Sequence, residues 1–322
     1  MTSFRISRRG LIAGGFAGAA TAPAAWAQEA LQAQAETPIL PSTQLDETET
    51  DVDTETDGKS LRMTAPVMLN GQGPFDFFLD TGANRSAISG SAASRLGLRR
   101  GRAMRIHTLL GPVEVPSAVL DRLQVGDRTQ RNLTVPVLPD AGVATADGLL
   151  GIDWLKGQRL TLDMEGEKLE IRKTRMGMQA GATVVPARLR HGQLTIIDAD
   201  VNGRGRLNCM IDSGSEVSVG NTLLRTMAAS RSETFEKSIQ TIDLIDAANR
   251  HFKGQLGYLP FVRIGGVQFG NLPVVFADSG LLAMWGIEKE PSLMLGMDIL
   301  VQFSRVEMDF GQSRVGFSLA NA

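Results

Sequence analysis

LNGQGPFDFFLDTGA (residues 69–83) returns 132 positions later as VNGRGRLNCMIDSGS (residues 201–215), without a gap and with five of fifteen positions identical. The identities are Asn-Gly-x-Gly and Asp-x-Gly, and apolar positions largely stay apolar. Two further stretches recur in the same order. DGLLGIDWL (147–155) matches SLMLGMDIL (292–300), and RLTLDM (159–164) matches RVEMDF (305–310). Three blocks repeated in one order mean two copies of one domain, here taken as 61–175 and 182–320.

Each copy reads mostly as strand. Asn70-Gly71 and Asn202-Gly203 are hairpin-turn signals between apolar runs. Phe75–Leu79 and Leu207–Ile211 read as short strands that run into the Asp-x-Gly turns. Short helices are expected over 91–98 and 222–230. Hairpins are expected over 105–125, with a tip near Gly111-Pro112, and over 239–264, with a tip near Ala247–Arg250. The expected fold class is therefore all-β with few short helices.

Composition narrows the function classes. The net charge of -2 over 322 residues argues against a nucleic-acid partner, which needs a strong basic bias. One cysteine, Cys209, excludes an intrachain disulfide and a thiolate metal cluster. His107, His191 and His251 lie far apart with no ligand spacing, so neither metal nor cofactor is expected.

The charge is unevenly spread. Residues 1–27 carry +3, residues 28–60 carry -8, and the remainder carries +3. The first stretch, with Arg8-Arg9 before an apolar run and Ala25-Trp26-Ala27 at its end, reads as a twin-arginine export signal over 1–27. A periplasmic or otherwise exported protein follows, with a residual membrane tether if the stretch is retained. The acidic stretch 28–60 lacks apolar surface and is expected to be a disordered linker.

The repeated turn carries the chemistry. Each copy places one carboxylate after an apolar strand, Phe77-Phe78-Leu79 before Asp80 and Cys209-Met210-Ile211 before Asp212. Gly82 and Gly214 let the backbone turn and approach a ligand closely. Thr81 and Ser213 bring hydroxyls that can fix the turn. Should the copies pack about a pseudo-twofold axis, Asp80 and Asp212 meet and share one proton. Ser215 and Ala83 hold matching positions after the turns. A Ser215 hydroxyl bonded to a carboxylate would favour the ionised form there, which makes these two residues candidates for tuning the pair.

Asp80-Thr81-Gly82-Ala83 and Asp212-Ser213-Gly214-Ser215 resemble the active-site signatures of aspartic proteases. Leu149-Leu150-Gly151 and Met294-Leu295-Gly296 resemble the apolar-apolar-Gly segment of that superfamily, and the following Gly-x-Asp-x-Leu is closer to its retropepsin-like branch. The resemblance covers about 61–320. It implies two closed-barrel-like lobes related by a pseudo-twofold axis and a site completed within one monomer. It further implies an aspartic endopeptidase acting on polypeptide, with Asp80 and Asp212 catalytic and no cofactor. Processing of envelope proteins is the expected task, and a weak or inactive peptide-binding relative is the alternative. Asn84-Arg85 and Glu216-Val217 depart from the retroviral pattern, so subsite preferences do not carry across. Asp153, Asp298, Asp163 and Asp309 repeat outside the signature and read as turn, cap or strand-end residues.

Overall fold

A computed structural model of the chain describes residues 6–7, 48–56, 60–143, 145–155, 157–174, 177–201, 203, 205–229, 235–236 and 239–319. The export signal over 1–27 (apart from Ile6 and Ser7), the linker as far as 47, and Asn202 lie outside the described residues.

The first copy forms a closed barrel. Its six strands follow the order Gly148–Leu150, Gln72–Leu79, Thr64–Leu69, Ser117–Val125, Arg128–Leu138, Ala87–Ser89. The turn at Asn70-Gly71 has φ of 52° and 78°, the paired positive values that a two-residue hairpin turn needs. The run Phe77-Phe78-Leu79 is apolar throughout because both faces of the strand are covered. Phe77 and Leu79 join the main core, while Phe78 packs into a smaller cluster with Ile106, Val115 and Leu149. Cys209-Met210-Ile211 repeats this arrangement, with Cys209 and Ile211 in the main core and Met210 in a third cluster.

In both copies the apolar-apolar-Gly segment lies parallel to the strand that carries the aspartate. Gly148–Leu150 pairs with Phe77–Leu79, and Ser292–Leu295 pairs with Asn208–Ile211. The second copy closes less completely among the described residues. Its counterpart of Thr64–Leu69 is broken into Gln193–Ile196 and Ala199–Val201, which pair with different neighbours. Its sheet then continues through Thr183–Arg190 into a sheet that both copies build.

That shared sheet exposes the symmetry. The third repeated block meets its own copy as antiparallel neighbours, Arg159 opposite Asp309, Thr161 opposite Glu307 and Asp163 opposite Arg305. Thr161 and Glu307 are equivalent positions of the repeat, so the pseudo-twofold axis passes between them. Arg305 binds Asp163 at 2.8 Å across the axis, and Arg159 lies 3.6 Å from Glu307 with both side chains buried.

The expectation of disorder through residue 60 fails for 48–56. Thr50–Asp53 is a strand that pairs with Lys168–Ile171 at the edge of the shared sheet. Thr50, Val52 and Thr54 are buried while Asp51, Asp53 and Glu55 face out. Strict alternation of acids with Thr and Val suits an edge strand, and its charges protect that edge from further pairing. Asp51 meets Arg172 at 2.5 Å, and the Thr48 carbonyl accepts from the buried Arg128 at 3.0 Å.

The first hairpin is also shorter than expected. Met104–Thr108 pairs with Gly111–Val115 around a tip at Leu109-Leu110. Pro116, which has no N–H to donate, ends it, and Ser117–Val125 returns to the barrel. The second hairpin joins Gln240–Ile245 to His251–Ile264 around Asp246–Arg250.

A chain that starts at Ser60 should therefore melt below one that starts at Thr48. Loss of the buried Val52 alone removes about 1.5–3 kcal/mol, and at ~2–4 °C per kcal/mol the midpoint should fall by roughly 3 °C or more. Equal melting of the two chains would return this strand to the linker.

Candidate active site

The two Asp-x-Gly turns face each other across the same axis, and the hydroxyls of the two copies exchange hydrogen bonds. Thr81 Oγ1 donates to the Ile211 carbonyl at 3.0 Å and accepts from the Ser213 N–H at 3.0 Å. Ser213 Oγ donates to the Leu79 carbonyl at 2.9 Å and accepts from the Thr81 N–H at 3.1 Å. All four partners are buried, so each lobe satisfies polar groups that the other would otherwise strand.

This lattice brings the carboxylates to the axis. Asp80 and Asp212 are each 1% exposed. A Cβ on Gly82 would stand 2.6 Å from the Asp212 carboxyl carbon, and one on Gly214 would overlap the Asp80 carboxyl carbon. Each carboxylate thus rests on the glycine that follows the other aspartate, a space that only glycine leaves open. The Gly214 N–H donates to Asp212 Oδ1 at 3.0 Å. Two carboxyls buried this way repel when both are charged, and sharing one proton relieves the repulsion.

Behind the turns the repeat is equally close. The Asp80 N–H donates to the Leu150 carbonyl at 3.0 Å, and that of Asp212 to the Leu295 carbonyl at 2.9 Å. Ser86 donates its N–H and hydroxyl to Asp153 at 3.1 and 2.9 Å, and Ser218 does the same to Asp298 at 2.9 and 2.8 Å. Burial pushes the Asp153 carboxyl above its ordinary value, against the pull of these Ser86 bonds and of Arg85. Asp153 and Asp298 therefore brace the segment that crosses behind each turn. Ser86 and Ser218 are not part of the Asp-x-Gly signature, although they too recur at the offset of 132.

The tuning expectation for Ser215 needs correction. Its hydroxyl has one proton and donates it to the Val217 carbonyl at 2.7 Å, which closes its own turn rather than assisting a carboxylate. Ala83, its counterpart, packs with Phe78 and Ala87. Cys209 is fully buried, and burial pushes its thiol up, so it behaves as an inert core side chain.

Glu216 follows the second turn and reaches back to the start of the first lobe. Ser60 Oγ donates to it at 2.6 Å, and the buried Arg62 lies 3.3 Å away. The Arg62 guanidinium also stacks 3.9 Å above the Phe78 ring, two residues before Asp80. Neither contact was legible in the sequence.

A family model described as aspartyl protease matches residues 65–154 and 197–299, one segment in each copy. No curated protein matches the chain. The crystal structure of basic 7S globulin from soybean is similar at 10% identity, with a TM-score of 0.47 over 85% of this chain and 95% of that one. At that level the likeness bears on nothing further. The family match covers more than half of the sequence, and the chain belongs to the aspartyl protease family.

Thr81→Val should cost about 2–6 kcal/mol in chemical denaturation, because it strands the Ile211 carbonyl and the Ser213 N–H, each worth about 1–3 kcal/mol when buried unpaired. Thr81→Ser keeps the hydroxyl and should lose only about 1 kcal/mol for the missing methyl. Equal losses in the two variants would remove the hydroxyl lattice as the cause.

Proposed function

We propose that this member of the aspartyl protease family is an endopeptidase, and that Asp80 and Asp212 together activate the water that attacks a peptide bond. The observation that carries the reading is the reciprocal seating of each carboxylate on the other turn's glycine. It supports a pair that titrates as one unit rather than two structural Asp-Gly turns.

The mechanism follows from one shared proton. The ionised carboxylate takes a proton from a water held between the two, and the water oxygen attacks the carbonyl carbon. The protonated carboxyl gives its proton to the carbonyl oxygen as the tetrahedral intermediate forms. Collapse of the intermediate expels the amine, which receives the proton that the first carboxylate took up, while the second carboxylate takes a proton back from the hydroxyl that becomes the product's carbonyl, so the pair again holds one proton. The step needs no metal or covalent nucleophile, and proton transfer from a positioned group contributes about 10²–10⁴-fold each way.

Polypeptide is the substrate class. Because one chain supplies both aspartates, the enzyme works as a monomer, and its specific activity should not change on dilution. Export to the periplasm and processing of envelope proteins are the proposed setting, on the strength of Arg8-Arg9 and Ala25-Trp26-Ala27. A second reading is a relative that binds peptide without cutting it. The observation that favours it is the contact between the two hairpin tips, where Thr108 donates to Asp246 at 2.7 Å and ties the lobes together.

A mixed peptide library read by mass spectrometry separates the two. Asp80→Asn and Asp212→Asn should each lower cleavage by at least about a hundredfold. A folded wild type that cuts nothing from acid to neutral pH would favour the binding reading instead. Ser215→Ala should leave the acid limb of the pH–rate profile in place and cost only about 1 kcal/mol of stability. A displaced acid limb would return that hydroxyl to the carboxylates.

A further inference from the structure

The stretch RLGLRRGRAMR (95–105) carries five arginines and no acid. Its counterpart at the offset of 132, MAASRSETFEK (227–237), sets Arg231 and Lys237 against Glu233 and Glu236. The excess of positive charge therefore belongs to one copy, and the shared fold does not ask for it.

The middle of the stretch is pinned in place. It leaves the short helix Gly90–Arg95, which follows the first catalytic turn, and enters the first hairpin at Met104. On the way it lies along the barrel strand Ser117–Val125, with Arg100 bridging Ala118 in antiparallel sense. The Val119 N–H donates to the Arg99 carbonyl at 2.8 Å, and the Gly101 N–H donates to the Ser117 carbonyl at 2.9 Å. Ser117 Oγ donates to the Arg102 carbonyl at 2.5 Å. Gly101 lets the chain lie so close, because a Cβ there would overlap Ser117 Oγ and stand 3.1 Å from the Thr134 methyl. Leu96 and Leu98 pack against the main core just before it.

Two kinds of group are left facing out. The bridge takes its bonds from residues 99 and 101, so the N–H and carbonyl of Arg100 point away from Ser117–Val125. Neither bonds to any described residue. Around them Arg99, Arg100 and Arg102 are exposed, and none of the three pairs with a described carboxylate, whereas Arg95 meets Asp147 at 3.2 Å. The result is an open sheet edge that carries fixed positive charge. Such an edge turns away basic strands, as charged edges do. An acidic strand gains both the backbone pairing and the charge.

We propose that Arg99–Arg102 is an exosite for an extended acidic stretch of polypeptide, which adds to this edge as a strand and sets its carboxylates against the three arginines. The edge is held in shape before anything binds, so little ordering of the protein is required. As an aid to cleavage the exosite rests on the endopeptidase reading, since it holds the polypeptide on the lobe that carries Asp80. The pairing of an acidic strand with the edge does not rest on it.

The test uses the full chain with Asp80→Asn, so that bound peptide is not cut, and a fluorescein-labelled peptide of alternating glutamate and threonine. Its counterpart has glutamine for every glutamate. Fluorescence anisotropy should show the acidic peptide bound about tenfold more tightly, which three exposed ion pairs supply. The preference should vanish when Arg99→Gln, Arg100→Gln and Arg102→Gln are combined, and near 1 M salt, where charges act over only about 3 Å. Arg100→Pro removes the outward N–H, breaks no hydrogen bond of the edge and leaves Arg99 and Arg102 in place. It should bind the acidic peptide several-fold more weakly than Arg100→Gln does. Equal binding of the two peptides overturns the proposal, and so does Arg100→Pro binding as well as Arg100→Gln. Binding to phosphatidylglycerol vesicles that the triple variant loses, with no preference between the peptides, also overturns it and assigns the arginines to an anionic membrane. In the chain with both aspartates, a cleavable sequence fused to the acidic stretch should be cut with kcat/KM about tenfold above its glutamine fusion, and the triple variant should bring that ratio to about one. Acidic preference in binding without any cutting keeps the exosite and counts against the endopeptidase reading.

Discussion

The exchange of hydroxyl hydrogen bonds between Thr81 and Ser213 is the constraint on which the rest depends. Each hydroxyl serves a carbonyl and an N–H of the opposite turn, so neither turn is satisfied alone. Burying an unpartnered amide or carbonyl costs about 1–3 kcal/mol. Four such groups at the axis therefore make the two lobes obligate partners at this point. The glycines then set how near the carboxylates come, because any side chain at 82 or 214 would occupy the space of the opposite carboxyl.

Duplication explains why the pattern is reciprocal at every layer. Thr161 faces Glu307 in the shared sheet, Thr81 faces Ser213 at the turns, and Ala247 and Gly111 at the hairpin tips approach equivalent glycines of the opposite copy. The copies are thus related in the same reciprocal way at the sheet, at the turns and at the hairpin tips. The copies have diverged where symmetry is not needed. The strand that closes the first barrel is broken at 197–198 in the second, and Ser215 closes its turn with a hydroxyl where Ala83 packs against apolar neighbours.

Much of this was legible because it is local or repeated. Asn70-Gly71 announces its turn through positive φ, and the Asp-x-Gly blocks announce themselves by recurring. What the sequence concealed depends on partners distant along the chain. The composition of Thr50–Asp53 is that of an acidic disordered segment, although its alternation is that of a strand. Its partner, Lys168–Ile171, lies more than a hundred residues away. Pro116 was the visible stop of the first hairpin, yet the apolar run beyond it concealed the boundary. The destination of the Ser215 proton was a choice between a carboxylate and a backbone carbonyl, which only the path of the turn decides. Asp140-Ala141-Gly142 and Asp278-Ser279-Gly280 also repeat, but the reason for their glycines is a hairpin of the other lobe.

The most direct test is whether Asp80 and Asp212 hold one proton between them. Carbon-13 NMR of the two aspartate carboxyls, followed through a pH titration of the folded chain, reads this without any substrate. One shared proton gives two widely separated steps, each sensed at both carboxyls, and a single step at Asp212 once Asp80 is replaced by Asn. Two independent steps, each confined to one carboxyl and unchanged by the replacement, would contradict it.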